Sequence, residues 1–164
     1  MVLNNICPVP KEQRPKEEFE QLSNSWFFGW PINKSISFHS KLFQSWLYIL
    51  PLIIIICSGS LYLRNDLVKY SVTTFTASLL LPFIILLRQQ LGWGYVYKRL
   101  RSEAIEYEES GWYDGQIWEK PIEWRQRDLM IATQEVKPIL NDLRKKTTYI
   151  LSLILLFTLI YYIS

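Results

Sequence analysis

Hydrophobic positions are clustered rather than scattered: residues 42–63, 70–87 and 147–164 run without a charged side chain, and charge is confined to the segments between and before them. At about 1.5 Å per helical residue, such stretches reach roughly 27–33 Å, close to the ~30 Å hydrocarbon core of a bilayer. The pattern predicts a mainly α integral membrane protein with about three transmembrane helices: one helical hairpin and a C-terminal span. The third stretch is the most uniformly apolar, with Leu, Ile and Phe at ten positions between Ile150 and Ile163. The second is interrupted near its start by Ser71, Thr73, Thr74, Thr76 and Ser78, which implies a shielded face.

Pro51 and Pro82 fall inside the first two spans, where each removes one helical hydrogen bond; bent packing explains them more simply than a shaped cavity. Residues 64–69 are too few for anything but an antiparallel hairpin connection. The small residues Cys57, Ser58, Gly59 and Ser60 are expected to lie at the depth of Ser71, Thr74, Ala77 and Ser78, allowing close helix approach. An ion path would require ionisable residues within the spans, and these contain none.

The chain divides into an N-terminal Pro- and aromatic-rich tail (1–41), the hairpin (42–87), a polar segment (88–146) and the last span (147–164). In the tail, Pro8, Pro10 and Pro15 favour extended chain, a short helix is expected over 16–22, and Trp26 and Trp30 read as an interfacial belt in preference to a pigment, lipid or quinone site. Helical spacing of Leu87, Leu91 and Tyr95 carries the second helix beyond the membrane, although Gly92 and Gly94 weaken it. Glu103, Glu106, Glu108 and Glu109 then suggest a solvated helix. Asp114 and Gly115, flanked by aromatics, signal a tight turn and a small hairpin. A further helix is expected from Pro121 to about Val136, with Pro138 ending it and restarting the last one.

Composition narrows the chemistry. With 18 Lys and Arg against 15 Asp and Glu, the net charge is +3, too small and too dispersed for nucleic-acid binding. The basic residues instead report orientation: Lys34, Lys41, Arg88, Lys98, Arg99, Arg101, Lys137, Arg144, Lys145 and Lys146 fall on one side of a three-span thread, leaving Arg64 and Lys69 on the other. Cys7 and Cys57 form no disulfide or zinc spacing. The sole histidine, His39, has no Glu at the spacing of a di-iron motif, so neither metal nor catalytic residues are assigned, and the sequence leaves any cofactor unknown. Gly92 and Gly94 lack the third glycine and the preceding strand of a dinucleotide loop. Arg127 and Asp128 read as members of exposed ion pairs of little weight.

Five motifs carry a resemblance: Pro-Val-Pro-Lys-Glu-Gln-Arg-Pro at 8–15, Ser-Trp-Phe-Phe-Gly-Trp-Pro at 25–31, Gly-Trp-Tyr-Asp-Gly-Gln at 111–116 with Trp118, Lys120 and Pro121, Arg-Asp at 127–128, and Glu-Val-Lys-Pro-Ile-Leu at 135–140. Over about residues 7–146 the chain resembles the hypothetical chloroplast reading frame thirty-six family, whose plant and diatom relatives belong to a set conserved in the green lineage and diatoms. The resemblance implies a chloroplast or thylakoid-type membrane and a link to oxygenic photosynthesis; in a plastid the basic side of the multi-pass thread is the stroma, which places the N-terminus and the aromatic and helical 88–146 segment there. It supplies no catalytic residues. The chain starts close to its Pro-rich motif without an Arg- and Ser-rich leader, which suggests a plastid-encoded or cyanobacterial copy.

The favoured function is a non-enzymatic assembly or auxiliary factor for photosynthetic membrane complexes, with membrane lipids and subunits of those complexes as partners. The alternatives are a membrane enzyme acting on lipid or pigment, with Glu103, Glu106, Glu108, Glu109, Asp114 and Asp128 as its acid/base groups, and a small oligomeric transporter. The expected partner-docking surface comprises Trp112, Tyr113, Asp114, Gly115 and Trp118, since a two-stranded ribbon alone is barely stable and aromatics anchor interfaces.

Overall fold

The computed structural model describes residues 7–32, 38–108 and 115–163. The chain is mainly helical and, among those residues, contains three helices long and apolar enough to cross a membrane. Helix α1 spans Pro15–Asn24, α2 Phe38–Ser58, α3 Leu61–Arg64 and α4 Leu67–Arg101. Strands β1 (Ala104–Glu108) and β2 (Gly115–Glu119) follow, then α5 (Ile122–Ile131) and α6 (Lys137–Ile163). Two compact units emerge: one from Met1–Gly29 with Gly92–Leu140, the other from Trp30–Leu91 with Asn141–Ser164. Helices α4 and α6 contribute residues to both.

The second unit holds the apolar helices. Helix α2 starts four residues before the charge-free stretch and stops at Ser58, so the expected continuous span to Leu63 is broken at Gly59 and Ser60, where backbone bonds to Ile56 and Cys57 close a turn before α3. Asp66 caps α4 by accepting from the backbone N–H groups of Val68 (3.0 Å) and Lys69 (3.2 Å), two of the donors a helix start leaves open. These bonds hold its carboxyl below the usual range.

Helices α2 and α4 are pinned at two levels. The Trp46 indole donates to Ser78 Oγ (2.9 Å) and the Tyr70 hydroxyl to the Ile54 carbonyl (3.2 Å). That register places Ser78 opposite Trp46, not opposite the Cys57 to Ser60 group, so the expected small-against-small contact does not form. A methyl group on Gly59 would meet only the Ile56 carbonyl of its own turn, at 3.4 Å. Ser78 is buried and its hydroxyl is the acceptor for the Trp46 indole.

Between α5 and α6 the chain does not stop at Pro138. Ala132–Val136 forms a π turn, in which the Lys137 N–H donates to the Ala132 carbonyl five residues back. Because the turn shifts the hydrogen-bond pairing ahead of the proline, the helix passes through Pro138 and runs unbroken from Ile122 to Ile163. The expected helix restart is therefore replaced by a bulge.

In the first unit, 104–108 is a strand rather than the solvated helix expected from its glutamates. Ile105 and Tyr107 are buried while Glu106 and Glu108 point outward, the period of two that a half-buried strand requires. Strands β1 and β2 pair antiparallel from Ala104 with Glu119 to Glu108 with Gly115. The expected hairpin is present, but Gly115 lies within β2 rather than at the centre of a two-residue turn, and the connection 109–114 lies outside the described residues.

Candidate functional site

The polar unit is where the sequence motifs converge. Val9 is buried against Ile105 and Tyr107, with Cys7 and Trp118 packed around them, so the Pro-rich N-terminal motif forms part of the hairpin's core. Gln13 extends the sheet: its amide donates to the Glu108 carbonyl (3.0 Å) and accepts from the Glu108 N–H (2.9 Å), imitating a further strand. Tyr107 and Gln116, a cross-strand pair, are joined by a hydroxyl-to-carbonyl bond of 2.6 Å.

The second aromatic motif is built around a close approach. Ser25 holds a turn by accepting from the backbone N–H of Phe28 through its hydroxyl (3.0 Å) and from that of Gly29 through its carbonyl (2.9 Å). The turn directs the Phe28 ring onto Gly92, where any Cβ would collide with the ring, and presents the Phe28 carbonyl to the Trp93 indole (3.2 Å). Phe19 packs edge-on against the same indole, 6.1 Å between centroids. Trp93 is completely buried. Gly92 therefore serves packing in this helix, while Gly94, with open space around it, does not.

Two charged centres lock the unit. Arg99, near the end of α4, pairs with Glu18 of α1 (3.1 Å) and donates to the Gln13 carbonyl (2.8 Å) and the Tyr95 hydroxyl (3.0 Å). Burial pushes the Glu18 carboxyl above its ordinary pKa, with Arg99 and Lys120 opposing the rise. The other centre is Lys120, whose side chain has no exposed surface. Its ammonium forms an ion pair with Asp128 Oδ2 (3.0 Å) and donates to the carbonyls of Arg99 (3.0 Å) and Leu100 (3.2 Å). One lysine thus closes the C-terminus of α4, whose last carbonyls lack helical partners, and ties it to α5.

Asp128, 1% exposed, receives a second cation at Oδ1 from Arg127 (3.1 Å), and Arg127 lies over the Trp124 ring at 5.2 Å. Arg14 lies over the same ring at 5.6 Å, and Trp118 meets it edge-on at 5.4 Å. Burial pulls the Lys120 pKa below its ordinary value, with Asp128 opposing the fall. Charged side chains are almost never fully buried unless paired, and the exposed pairing expected for Asp128 is corrected by this geometry. A carboxylate sealed in this way cannot meet a substrate without local opening, so Asp128 is a structural anchor rather than an acid/base group. Glu106 and Glu108 face outward from β1, Glu103 and Glu119 flank Arg125 at 3.5 and 3.8 Å, and no described group of three His, Cys, Asp or Glu could hold a metal ion.

Of the residues expected to dock a partner, Trp112, Tyr113 and Asp114 lie outside the described residues. Gly115 is exposed at the start of β2, and Trp118 is half-buried between the hairpin core and Trp124. The sequence does not mark Lys120, Arg99 or Gln13 as site residues: adjacency to Pro121 and to the hairpin places Lys120 in a motif, but nothing local signals its burial. Exposed apolar side chains of this unit include Ile117 on β2 and Ile122, Leu129 and Met130 on α5.

Known proteins resemble this chain in sequence over most of its length. The family described as "CGLD27-like: Conserved in the green lineage and diatoms 27" matches residues 7–149. The ycf36 protein of Porphyra purpurea is 43% identical over 92% of this chain and 90% of its own, and that of Cyanophora paradoxa 38% identical over 94% and 97%. A chloroplastic protein of Arabidopsis thaliana, named for conservation in the green lineage and diatoms, is 35% identical over 84% of this chain and 42% of its own length. No solved structure matches the chain.

Proposed function

The chain belongs to the CGLD27-like family, and from that premise we propose that it is a non-enzymatic auxiliary or assembly factor in a chloroplast membrane, of thylakoid type, serving photosynthetic complexes. The chloroplastic label of the Arabidopsis relative and the lineages named in the family description support the compartment and the link to photosynthesis. Three helices of sufficient length and apolarity support insertion. The division of Lys and Arg between the helix ends supports a stromal N-terminus and a stromal 88–146 segment.

The observation that carries the reading is the use of the family's motif residues to build one compact unit. Val9 and Trp118 pack in the hairpin core, Gln13 bonds to β1, Phe28 meets α4, and Lys120 and Asp128 join α4 to α5, so the motifs specify a scaffold. Among the described residues this scaffold displays apolar side chains, Ile117, Ile122, Leu129 and Met130, and in sequence Trp112 and Tyr113 fall between its two strands. Such a surface suits docking to a protein partner, with Trp112, Tyr113, Asp114 and Gly115 as the contact and Trp118 as the residue that seats the strand beneath it.

The test is gentle detergent extraction from native plastid membranes of wild type and of a variant carrying Tyr113→Ala and Ile117→Ser, followed by identification of co-purifying proteins. Loss of photosystem or cytochrome subunits at unchanged abundance supports docking. Retention of every partner, or turnover of a lipid or pigment by the isolated chain, refutes the reading.

A further inference from the structure

The apolar unit contains a groove of about 560 Å³ whose lining changes from charged to aromatic along its length. His39 of α2 and Asp142, Lys145 and Lys146 of α6 stand at one end, and Trp46, Phe75 and Leu153 line the deeper part. The gradient follows from chain direction: α2 and α6 both enter from their charged turns and α4 runs the opposite way, so Pro82 sits at the charged end and Phe75 at the apolar end. A series of ring contacts fixes the deep wall, Phe43 to Trp46 at 5.7 Å, Trp46 to Phe75 at 5.9 Å and Phe75 to Phe157 at 4.8 Å. Because the Trp46 indole N–H is already given to Ser78, this wall offers an occupant only apolar surface.

An apolar helix face in a bilayer needs no ligand; a cationic mouth on an apolar groove adds complementarity to an anionic headgroup. Lys146 is paired with Asp142 and lies 4.6 Å above the Phe38 ring, which holds it at the rim. The Lys145 ammonium has no ion-pair partner among the described residues, so the mouth keeps an excess of positive charge. We propose that the groove is a binding site for an anionic membrane lipid, one acyl chain lying along Trp46 and Phe75 and the phosphate or sulfonate of its headgroup between Lys145 and Lys146. The volume falls within the roughly 300–1,000 Å³ of small-molecule sites. A second copy of the chain is a poorer occupant, since a two-fold interface through this face would bring two cationic mouths together. The inference rests on membrane insertion of the helices, which alkaline carbonate extraction of the same membranes checks separately.

The test uses the full chain, purified in a non-ionic detergent and titrated with phosphatidylglycerol or with phosphatidylcholine of the same acyl chains, bound lipid being counted by native mass spectrometry. Phosphatidylglycerol is expected to bind at least tenfold more tightly, and Lys145→Gln with Lys146→Gln to abolish that preference. Ile150→Trp, which fills the groove, is expected to weaken both lipids by tenfold or more. Equal binding of the two lipids, a preference that survives the lysine substitutions, or full binding by a folded Ile150→Trp protein overturns the proposal. So does a dimer that the tryptophan disrupts. Should Ile150→Trp fail to accumulate, the lysine variant decides alone.

Discussion

Replacing Asp128 by Leu, a side chain of similar size, removes the carboxylate paired with Lys120 inside the polar unit while leaving the Lys120 ammonium fully buried. Breaking a buried pair from one side costs about 3–5 kcal/mol, because the remaining charge has lost its counter-charge but not its desolvation. Here the lower end applies: Lys120 keeps its bonds to the Arg99 and Leu100 carbonyls, and burial already lowers its pKa, which makes proton release an escape. A loss of about 3 kcal/mol in a chain of this size corresponds to a Tm lower by roughly 6–12 °C. Adding Lys120→Met should restore much of that loss, since an apolar pair of similar volume often replaces a buried ion pair at little cost.

The pH dependence supplies a second signature. Between the lowered folded pKa of Lys120 and its unfolded value of 10.5, the unfolded chain binds more protons than the folded one, so stability contributed through this lysine rises with pH. Without Asp128 the folded pKa falls further and the window opens downward, so the penalty of Asp128→Leu shrinks as pH climbs from 7 toward 10. Thermal unfolding in detergent gives the Tm, and hydrogen exchange at α5 and hairpin amides reports the local opening free energy. A single variant within about 0.5 kcal/mol of wild type, or a double variant no better than the single one, refutes the anchoring role.

The two glycines of α4 should respond oppositely. Gly92→Ala drives a methyl group into the Phe28 ring and is expected to cost about 1–2 kcal/mol net, whereas Gly94→Ala, with open space around it, should gain about 0.5–1 kcal/mol from helix propensity, both read as shifts in Tm. Glu18, its folded pKa raised by burial, binds protons better in the folded chain between 4.5 and that raised value, so its contribution to stability falls as pH rises through the window. Glu18→Gln should flatten this part of the Tm-against-pH curve; an unchanged slope would mean that Glu18 does not titrate there.

The long apolar helices were legible in the sequence because they depend on composition over some twenty positions, and no tertiary contact is needed to make such a segment helical. The hairpin was legible too, from turn residues flanked by aromatics. Its first strand was readable in principle: Ile105, Glu106, Tyr107 and Glu108 alternate apolar and charged, but the density of glutamate suggested a helix. Length and composition therefore settled the helix content and three membrane-compatible helices, with the motifs pointing to the family. Only the tertiary structure decided where the charges go. Nothing local distinguishes Lys120 and Asp128 from surface residues, because their burial depends on the last carbonyls of a helix some twenty residues upstream converging with α5. The same holds for Ser78 beneath Trp46 and for the π turn before Pro138: each is a property of two backbones meeting or of a hydrogen-bond pairing shifted by one residue, and neither is encoded in the periodicity of a single segment.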